Sequence, residues 1–239
     1  MKKTLLLLTA SLLMLHPLSG AENLLANGDF EKWSLLEGNP PAGQPVNWGV
    51  GQSSSKPVRM PGFARSSDYA AWMKPGDKNA IARGVVNGLT SFELEFYFVA
   101  EDPGTPTARS FNLCLNEKSS QLPSVNLRLV QGSAPGRLTL QAFDGKRWQN
   151  LAEDAFQASV YNAEKNTLTT ANVYRFQLKG NFDGSGSYSI AYGPENGELT
   201  RVNDAHYFQT PLSGTGFSSF SFIAAMSQAG FGVDNVSLK

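Results

Sequence analysis

Few residues of this sequence have the types and spacing that catalysis requires. Glu93 and Glu95 lie two positions apart in an alternating run, so their carboxylates fall on one face of a predicted strand. Glycoside hydrolysis uses two carboxylates about 5–10 Å apart, which this spacing can reach. Cys114 is the only cysteine, and His206 is the only histidine beyond residue 16. One cysteine and one histidine are too few for a zinc site or a convincing catalytic triad.

Side chains that suit a sugar are more numerous. Sugar rings stack their C–H faces on flat aromatic surfaces, and amides, carboxylates and arginines bond their hydroxyls. Asn126 and Arg128 take non-core positions of one predicted strand, and Tyr97 does so on another. Trp72 and Trp148 lie near turns, although a place in the core is the alternative for Trp148. These five residues are our candidates for binding a glycan or polysaccharide.

Short strands must position these side chains. Turn residues separate the runs, and no window of about 12 residues sustains a helical period, although residues 154–165 could hold one helical turn. The pattern predicts an all-β, antiparallel two-sheet β-sandwich. Apolar and polar residues alternate in seven runs: 92–98, 111–116, 125–129, 138–141, 174–178, 188–192 and 220–222.

The first 21 residues have the features of a secretory signal. Lys2 and Lys3 precede the apolar run Leu5–Leu15, and Pro17 ends that run well short of the about 20 residues a membrane span needs. We expect cleavage after Ala21. Residues 22–239 would then form a single β-sandwich domain without a transmembrane segment, secreted or held in the periplasm or cell envelope.

The composition excludes several classes. Of the 239 residues, 41% are hydrophobic, 11% aromatic and 17% charged, which suits a packed core and not disorder. The 20 basic and 20 acidic residues balance. Removal of the signal would take away two lysines and no acid, leaving 18 basic against 20 acidic residues. A chain without a basic excess is not expected to bind nucleic acid.

Both ends of the chain carry motifs of known modules. The runs Asn27–Glu31, Pro45–Trp48 and Val233–Leu238 (NGDFE, PVNW and VDNVSL) resemble the ends of jelly-roll carbohydrate-binding modules of the family 4/9/22 type, which have a galactose-binding-like fold. The middle is similar to a concanavalin A-like, lectin-type sandwich at Asp144–Trp148 and Tyr174–Phe176. Both resemblances imply a two-sheet jelly roll that binds carbohydrate.

Strict alternation puts Asp234 on the same inward face as Val236 and Leu238. A buried carboxylate needs a cation or several hydrogen-bond donors. If the first and last strands are neighbours, Asp29 or Glu31 comes close, and such oxygens suit Ca²⁺. The resemblance implies a structural calcium held by Glu31 and Asp234, with Asp29 as a further ligand. The alternative is a metal-free Asp234 that accepts backbone N–H bonds.

The expected function is noncatalytic carbohydrate binding by an exported protein. The second hypothesis is a structural or adhesive envelope protein that uses the sandwich for protein contacts. A glycosidase or lyase has the least support, because concanavalin A-like glucanases carry an E-x-D-x-E element and the stretch from Glu93 to Tyr97 (ELEFY) has no third carboxylate. Cys114 should lie on the outer side of its strand, either covered by a loop or exposed as a reactive thiol.

Overall fold

The computed structural model describes residues 23–38, 40–50, 56–64, 67–75, 80–106, 108–117, 122–182, 187–202, 206–207, 212–224 and 229–239. The predicted signal, residues 1–21, lies outside these ranges. Within them the chain forms β-strands and no α-helix. The described part accordingly contains no helix with the length and hydropathy that a membrane crossing by a helix would need.

Nineteen strands are present in the described residues. In chain order they are β1 (Trp33–Leu35), β2 (Gly43–Pro45), β3 (Gly49–Val50), β4 (Val58–Pro61), β5 (Tyr69–Met73), β6 (Ala80–Leu89), β7 (Ser91–Ala100), β8 (Arg109–Glu117), β9 (Val125–Gln131), β10 (Arg137–Phe143), β11 (Trp148–Gln157), β12 (Val160–Asn162), β13 (Thr167–Thr170), β14 (Tyr174–Asn181), β15 (Ser187–Pro194), β16 (Thr200–Arg201), β17 (His206–Tyr207), β18 (Phe217–Ile223) and β19 (Phe231–Leu238).

Two large antiparallel sheets contain most of these strands. The seven-stranded sheet has the order β11-β10-β9-β8-β18-β6-β3, and the eight-stranded sheet has the order β16-β15-β14-β7-β19-β5-β4, with β17 beside β15. Two small hairpins, β1-β2 and β12-β13, lie outside them. The predicted antiparallel two-sheet sandwich is confirmed, and each of the seven alternating runs lies in a strand.

Phenylalanine rings fill the space between the sheets. Phe96 on β7 packs against Phe222 on β18 with ring centroids 5.0 Å apart, and against Phe111 on β8 at 5.9 Å. Phe176 on β14 lies 5.3 Å from Phe96 within the eight-stranded sheet. All four rings are buried, so the alternation correctly predicts which side of each strand faces inward.

The closing strand breaks the alternation. Asp234 pairs with Tyr97, and Ser237 pairs with Glu95. Between these two pairs β19 advances by three residues and β7 by only two, so β19 contains one extra residue. Asn235 lies in this bulge with a φ of 42°. The extra residue turns Asp234 to the outer face of the eight-stranded sheet, while Val236 reaches the core. The prediction that Asp234 shares a face with Val236 is therefore wrong.

A second apolar cluster covers part of that outer face. Trp72 on β5 is fully buried there with Val58 and Val99. The β12-β13 hairpin supplies Tyr161, whose ring stacks on Trp72 with centroids 4.3 Å apart. Trp72 presents no ring to solvent, so the expectation that it binds a ligand by stacking is wrong. The hairpin that covers it occupies much of segment 154–165, which forms the end of β11, β12 and a turn.

Replacing Asn235 tests the bulge. We expect Asn235→Val to unfold more readily than Asn235→Gly by about 1–2 kcal/mol, because a side chain with a branched β-carbon resists the left-handed region that glycine accepts. Equilibrium urea denaturation of the two variants measures the difference. Equal stability of the two variants would contradict a strained backbone at this position.

Candidate functional site

Four polar side chains form one line across the outer face of the seven-stranded sheet. Asn112 on β8 pairs with Arg128 on β9, Arg128 with Gln141 on β10, and Gln141 with Asn150 on β11. Paired positions of adjacent strands point to the same side of a sheet. We call these four residues the polar row.

Hydrogen bonds fix much of the polar row. Arg128 Nε donates to Gln141 Oε1 at 2.8 Å, and Gln141 Nε2 donates to Asn150 Oδ1 at 2.7 Å. Asn150 Nδ2 in turn donates to Glu153 Oε1 at 2.8 Å. Each of these side chains loses rotamer freedom in the free protein, so a ligand that bonds to them would order little more.

Trp148 adjoins the polar row. The guanidinium carbon of Arg128 lies 3.9 Å from the centroid of the Trp148 ring, and Phe143 flanks the same ring at 5.2 Å. The turn between β10 and β11 sets this arrangement, because Asp144 accepts the N–H groups of Lys146 and Arg147 at 2.8 Å. These bonds hold the pKa of Asp144 down at about 2. Trp148 is half-buried, so it is neither a core residue nor a fully exposed ring.

A second set of polar groups lies one step along the same strands. Asn126 on β9 pairs with Cys114 on β8, and Asn112 Nδ2 donates to Asn126 Oδ1 at 3.3 Å. Asn112 Oδ1 is buried and has no hydrogen-bond partner in the described part of the chain. A buried acceptor without a donor is costly, so this atom favours a neighbouring donor from outside.

Arg128 keeps its positive charge although its side chain is half-buried. Burial first, and then the charge of Arg109, lower the pKa of its guanidinium. Arg109 pairs with Val130, two residues further along β9, so both arginines occupy one region of the sheet. An arginine so perturbed still keeps its proton at any physiological pH. The face therefore carries a permanent positive charge.

Tyr97 lies on the opposite outer face of the sandwich. It is half-buried beside Arg175 of β14 and borders a depression of about 450 Å³ with Asp29 and Glu95. The structure thus brings Asn126, Arg128 and Trp148 together and separates them from Tyr97. A role for Tyr97 in binding stays a prediction.

Glu93 and Glu95 belong to a ladder of charges on that opposite face. Gln177 Nε2 donates to both carboxylates, at 2.9 Å and 3.1 Å. Lys179 lies 3.0 Å from Glu93, and Arg175 lies 3.4 Å from Glu95. The two acids stand side by side on β7 and hold their neighbours on β14, as solvated ladder residues do.

Asp234 and Glu31 are both bound to one covering segment, residues 62–64 and 67–69. Asp234 Oδ2 accepts the N–H groups of Phe63 and Ala64 at 3.0 Å, and its Oδ1 accepts the Ser67 hydroxyl at 2.8 Å. Glu31 Oε1 accepts the N–H group of Asp68 at 2.7 Å. The predicted proximity of the two chain ends holds, and donors surround the buried carboxylate.

This donor set does not fit a calcium ion. A cation needs oxygen acceptors, whereas the atoms around Asp234 and Glu31 present hydrogens. Asp29 is exposed at the depression beside Tyr97. Within the described ranges, which include all three acids, no three side chains of His, Cys, Asp and Glu converge. Calcium at Asp29, Glu31 and Asp234 stays a prediction, which requires the covering segment, residues 62–64 and 67–69, to move.

The titration of Asp234 tests the arrangement. Burial raises its pKa to about 6, although the hydrogen bonds from Ala64, Ser67, Phe63 and Asn235 oppose the rise. Between about pH 4 and pH 6 the Asp234 carboxyl is protonated in the folded protein and ionised in the unfolded chain. Its contribution to the free energy of unfolding is therefore full below about pH 4 and is lost as the pH rises through 6. We expect the stability of the wild type, relative to Asp234→Asn, to fall by up to about 3 kcal/mol over that window. Denaturant titrations in a chelator measure it, with Glu31→Gln as the control that keeps an acceptor oxygen.

A constant difference between wild type and Asp234→Asn would contradict the raised pKa. The same series in millimolar Ca²⁺ tests the metal. A calcium-bound Asp234 would stay ionised, would not titrate in this window, and would raise the melting temperature.

Cys114 is buried, so the alternative of an exposed reactive thiol is wrong. Its side chain is buried beside Asn112 and Asn126, and burial raises the pKa of its thiol to about 11. A thiol is nucleophilic only as the thiolate, so the native protein should resist thiol reagents.

We expect Cys114 to react with an aromatic disulfide reagent at about pH 8 at least about 100-fold more slowly in the native protein than in denaturant. Absorbance of the released thiol follows both reactions, and Cys114→Ser supplies the blank. Similar rates in the two states would show that the site opens readily.

The polar row includes Asn112, Gln141 and Asn150, which were not among the five sequence candidates. Gln141 alternates with core residues on its strand, so its outward position was readable. Asn150 lies beyond a change of register between β10 and β11, which no local pattern reveals. The order of the strands, which joins the four residues, also has no local signal.

Comparison with known proteins places the fold. The chain is similar to the catalytic domain of the glycoside hydrolase family 131 protein from Coprinopsis cinerea, with a TM-score of 0.51, 12% identity, and coverage of 82% of this chain and 84% of that one. At this identity the likeness shows the fold alone, and it supports the predicted jelly-roll sandwich. No family model matches the chain, and no curated protein matches its sequence.

Two further solved structures superpose less closely. One is a carbohydrate esterase from the Shiga toxin-encoding bacteriophage phi24B, with a TM-score of 0.49, 9% identity, and coverage of 80% of this chain and 89% of that one. The other is lectin I-B4 from Griffonia simplicifolia, with a TM-score of 0.46, 8% identity, and coverage of 81% and 92%.

Proposed function

We propose that this protein binds a carbohydrate without cleaving it, on the outer face of the seven-stranded sheet. The observation that carries the proposal is the contact of the Trp148 ring with Arg128, which joins this ring to the polar row. It puts an aromatic ring, a guanidinium and side-chain amides on one surface, and these groups together recognise sugars.

The free donors and acceptors of this surface suit hydroxyl groups. Arg128 uses Nε for Gln141, and its terminal nitrogens have no bonded partner among the described residues. Asn126 uses its oxygen, and its amide nitrogen is likewise available there. A hydroxyl both donates and accepts, so a sugar can satisfy groups of either kind.

The predicted signal at residues 1–21 supports the same proposal. An exported protein meets polysaccharides outside the cytoplasm, and a chain with one buried thiol needs no disulfide partner in that oxidising environment. We infer export to the cell surface, the periplasm or the medium.

Truncation of Trp148 tests the site against the opposite face. We expect Trp148→Ala to weaken binding of the best glycan by about tenfold or more, because buried tryptophans dominate binding energies. Tyr97→Ala, which removes a half-buried ring from the other outer face, should leave affinity within about twofold. A glycan array selects the ligand, and isothermal titration calorimetry measures both variants.

The reverse result would move the site to the face of Tyr97. Absence of binding across a broad glycan array would sink the carbohydrate proposal. It would favour the structural or adhesive hypothesis, which the exposure of Leu35 (39%) and Leu36 (57%) at the end of β1 supports.

A further inference from the structure

We infer that the glycan bound at the polar row is acidic and that Arg128 binds its anionic group. This inference rests on the proposed function and specifies its ligand class. Arg128 is half-buried, and its contacts in the described part of the chain are neutral: the oxygen of Gln141 at 2.8 Å and the ring of Trp148 at 3.9 Å.

A half-buried charge without a counter-ion is unfavourable. Partial removal from water weakens its solvation, and an oppositely charged group with good hydrogen-bond geometry can offset that loss. The other sheet shows the usual solution, because Arg175 lies 3.4 Å from Glu95 and Lys179 lies 3.0 Å from Glu93. Arg128 makes no ion pair with any described residue.

The acid that hydrogen bonds link to Arg128 is remote. Glu153 bonds to Asn150, and both Asn150 and Gln141 stand between it and the guanidinium. Arg109 adds a second positive charge to the same region of the sheet. Two basic side chains therefore share the region where the terminal nitrogens of Arg128 are available, although the chain as a whole carries no net charge.

The shape of the group points to an oxyanion. A guanidinium presents two parallel N–H bonds, which match a carboxylate or a sulfate. Stacking on Trp148 and the bond to Gln141 hold this fork in place before a ligand arrives. An acidic sugar could then place its ring near Trp148 and its carboxylate or sulfate on Arg128. The shared chemistry is an anionic oxygen group, and a uronic acid or a sulfate ester could supply it.

Three galactose-based polymers test the inference. Polygalacturonate carries carboxylates, carrageenan carries sulfates, and galactan is neutral. We expect the wild type to bind at least one acidic polymer about tenfold or more tightly than galactan in about 50 mM salt, and to lose most of that advantage in about 500 mM salt. Affinity electrophoresis or calorimetry gives the dissociation constants, and the polymer that is preferred identifies carboxylate or sulfate.

Variants separate Arg128 from general charge. Arg128→Gln should lose about tenfold in affinity for the acidic polymer and little for galactan, and Arg128→Lys should lie between, because lysine keeps the charge without the fork. Arg59→Gln is the matched control. Arg59 also lies over an aromatic ring, that of Tyr69 at 4.3 Å, but on β4 of the other sheet. Thermal melts confirm that each variant folds, and Arg128→Lys carries the test if Arg128→Gln does not.

The negative outcomes distinguish the acidic-ligand inference from the proposed function. Equal or better binding of galactan would overturn the acidic ligand and leave carbohydrate binding intact. Equal losses in Arg128→Gln and Arg59→Gln would show a nonspecific charge effect and would also overturn it. Absence of binding to these polymers and to a broad array would instead refute the proposed function.

Discussion

The layer of phenylalanine rings between the two sheets is the interaction on which the structure depends. Successive side chains of a strand point to opposite faces, so a ring committed to the core commits its neighbours to the surface. Phe96, which contacts Phe111 and Phe222 across the sandwich, fixes the facing of β7, β8 and β18 together. The outward positions of Asn112 and Tyr97 follow from this core as directly as the inward ones.

The two outer faces differ in what covers them. On the eight-stranded sheet, the β12-β13 hairpin covers Trp72, and residues 62–64 and 67–69 cover Asp234. The charged ladder from Glu93 to Arg175 pairs its own members. On this sheet Trp72 Nε1 and Arg175 Nε are also buried without a hydrogen-bond partner among the described residues. On the seven-stranded sheet, Arg128 has no counter-ion and the buried Asn112 oxygen has no donor among the described residues. Groups that a protein leaves unsatisfied at a surface are where a ligand gains most, because each bond it makes removes an existing cost.

The sequence predicts the strands and the facing of most side chains well, since both depend on period-two alternation around a packed core. It misplaces Asp234 because the bulge at Asn235 adds one residue, and a single extra residue reverses every side chain that follows. It also misplaces Trp72, because a distant hairpin covers a position that looks exposed locally. Asn126, Arg128 and Trp148 were identified by type, but only the strand order β11-β10-β9-β8 shows that they adjoin one another. Strand order is a property of long-range pairing, so no short motif contains it.

The charge of Arg128 on the seven-stranded sheet decides which solution conditions would affect the proposed recognition. A histidine or carboxylate site would gain or lose affinity as its own group titrated, but an arginine keeps its charge throughout the range in which the protein is folded. Its field is not constant in strength, because dissolved ions screen it and the half-buried position reduces that screening only in part. Salt, and not pH, is therefore the solution variable to which the seven-stranded face would respond. Asp234, whose pKa is raised to about 6, lies on the other sheet, where its protonation affects how the covering segment is held. Stability and the proposed recognition would thus depend on different residues, on opposite sides of one core.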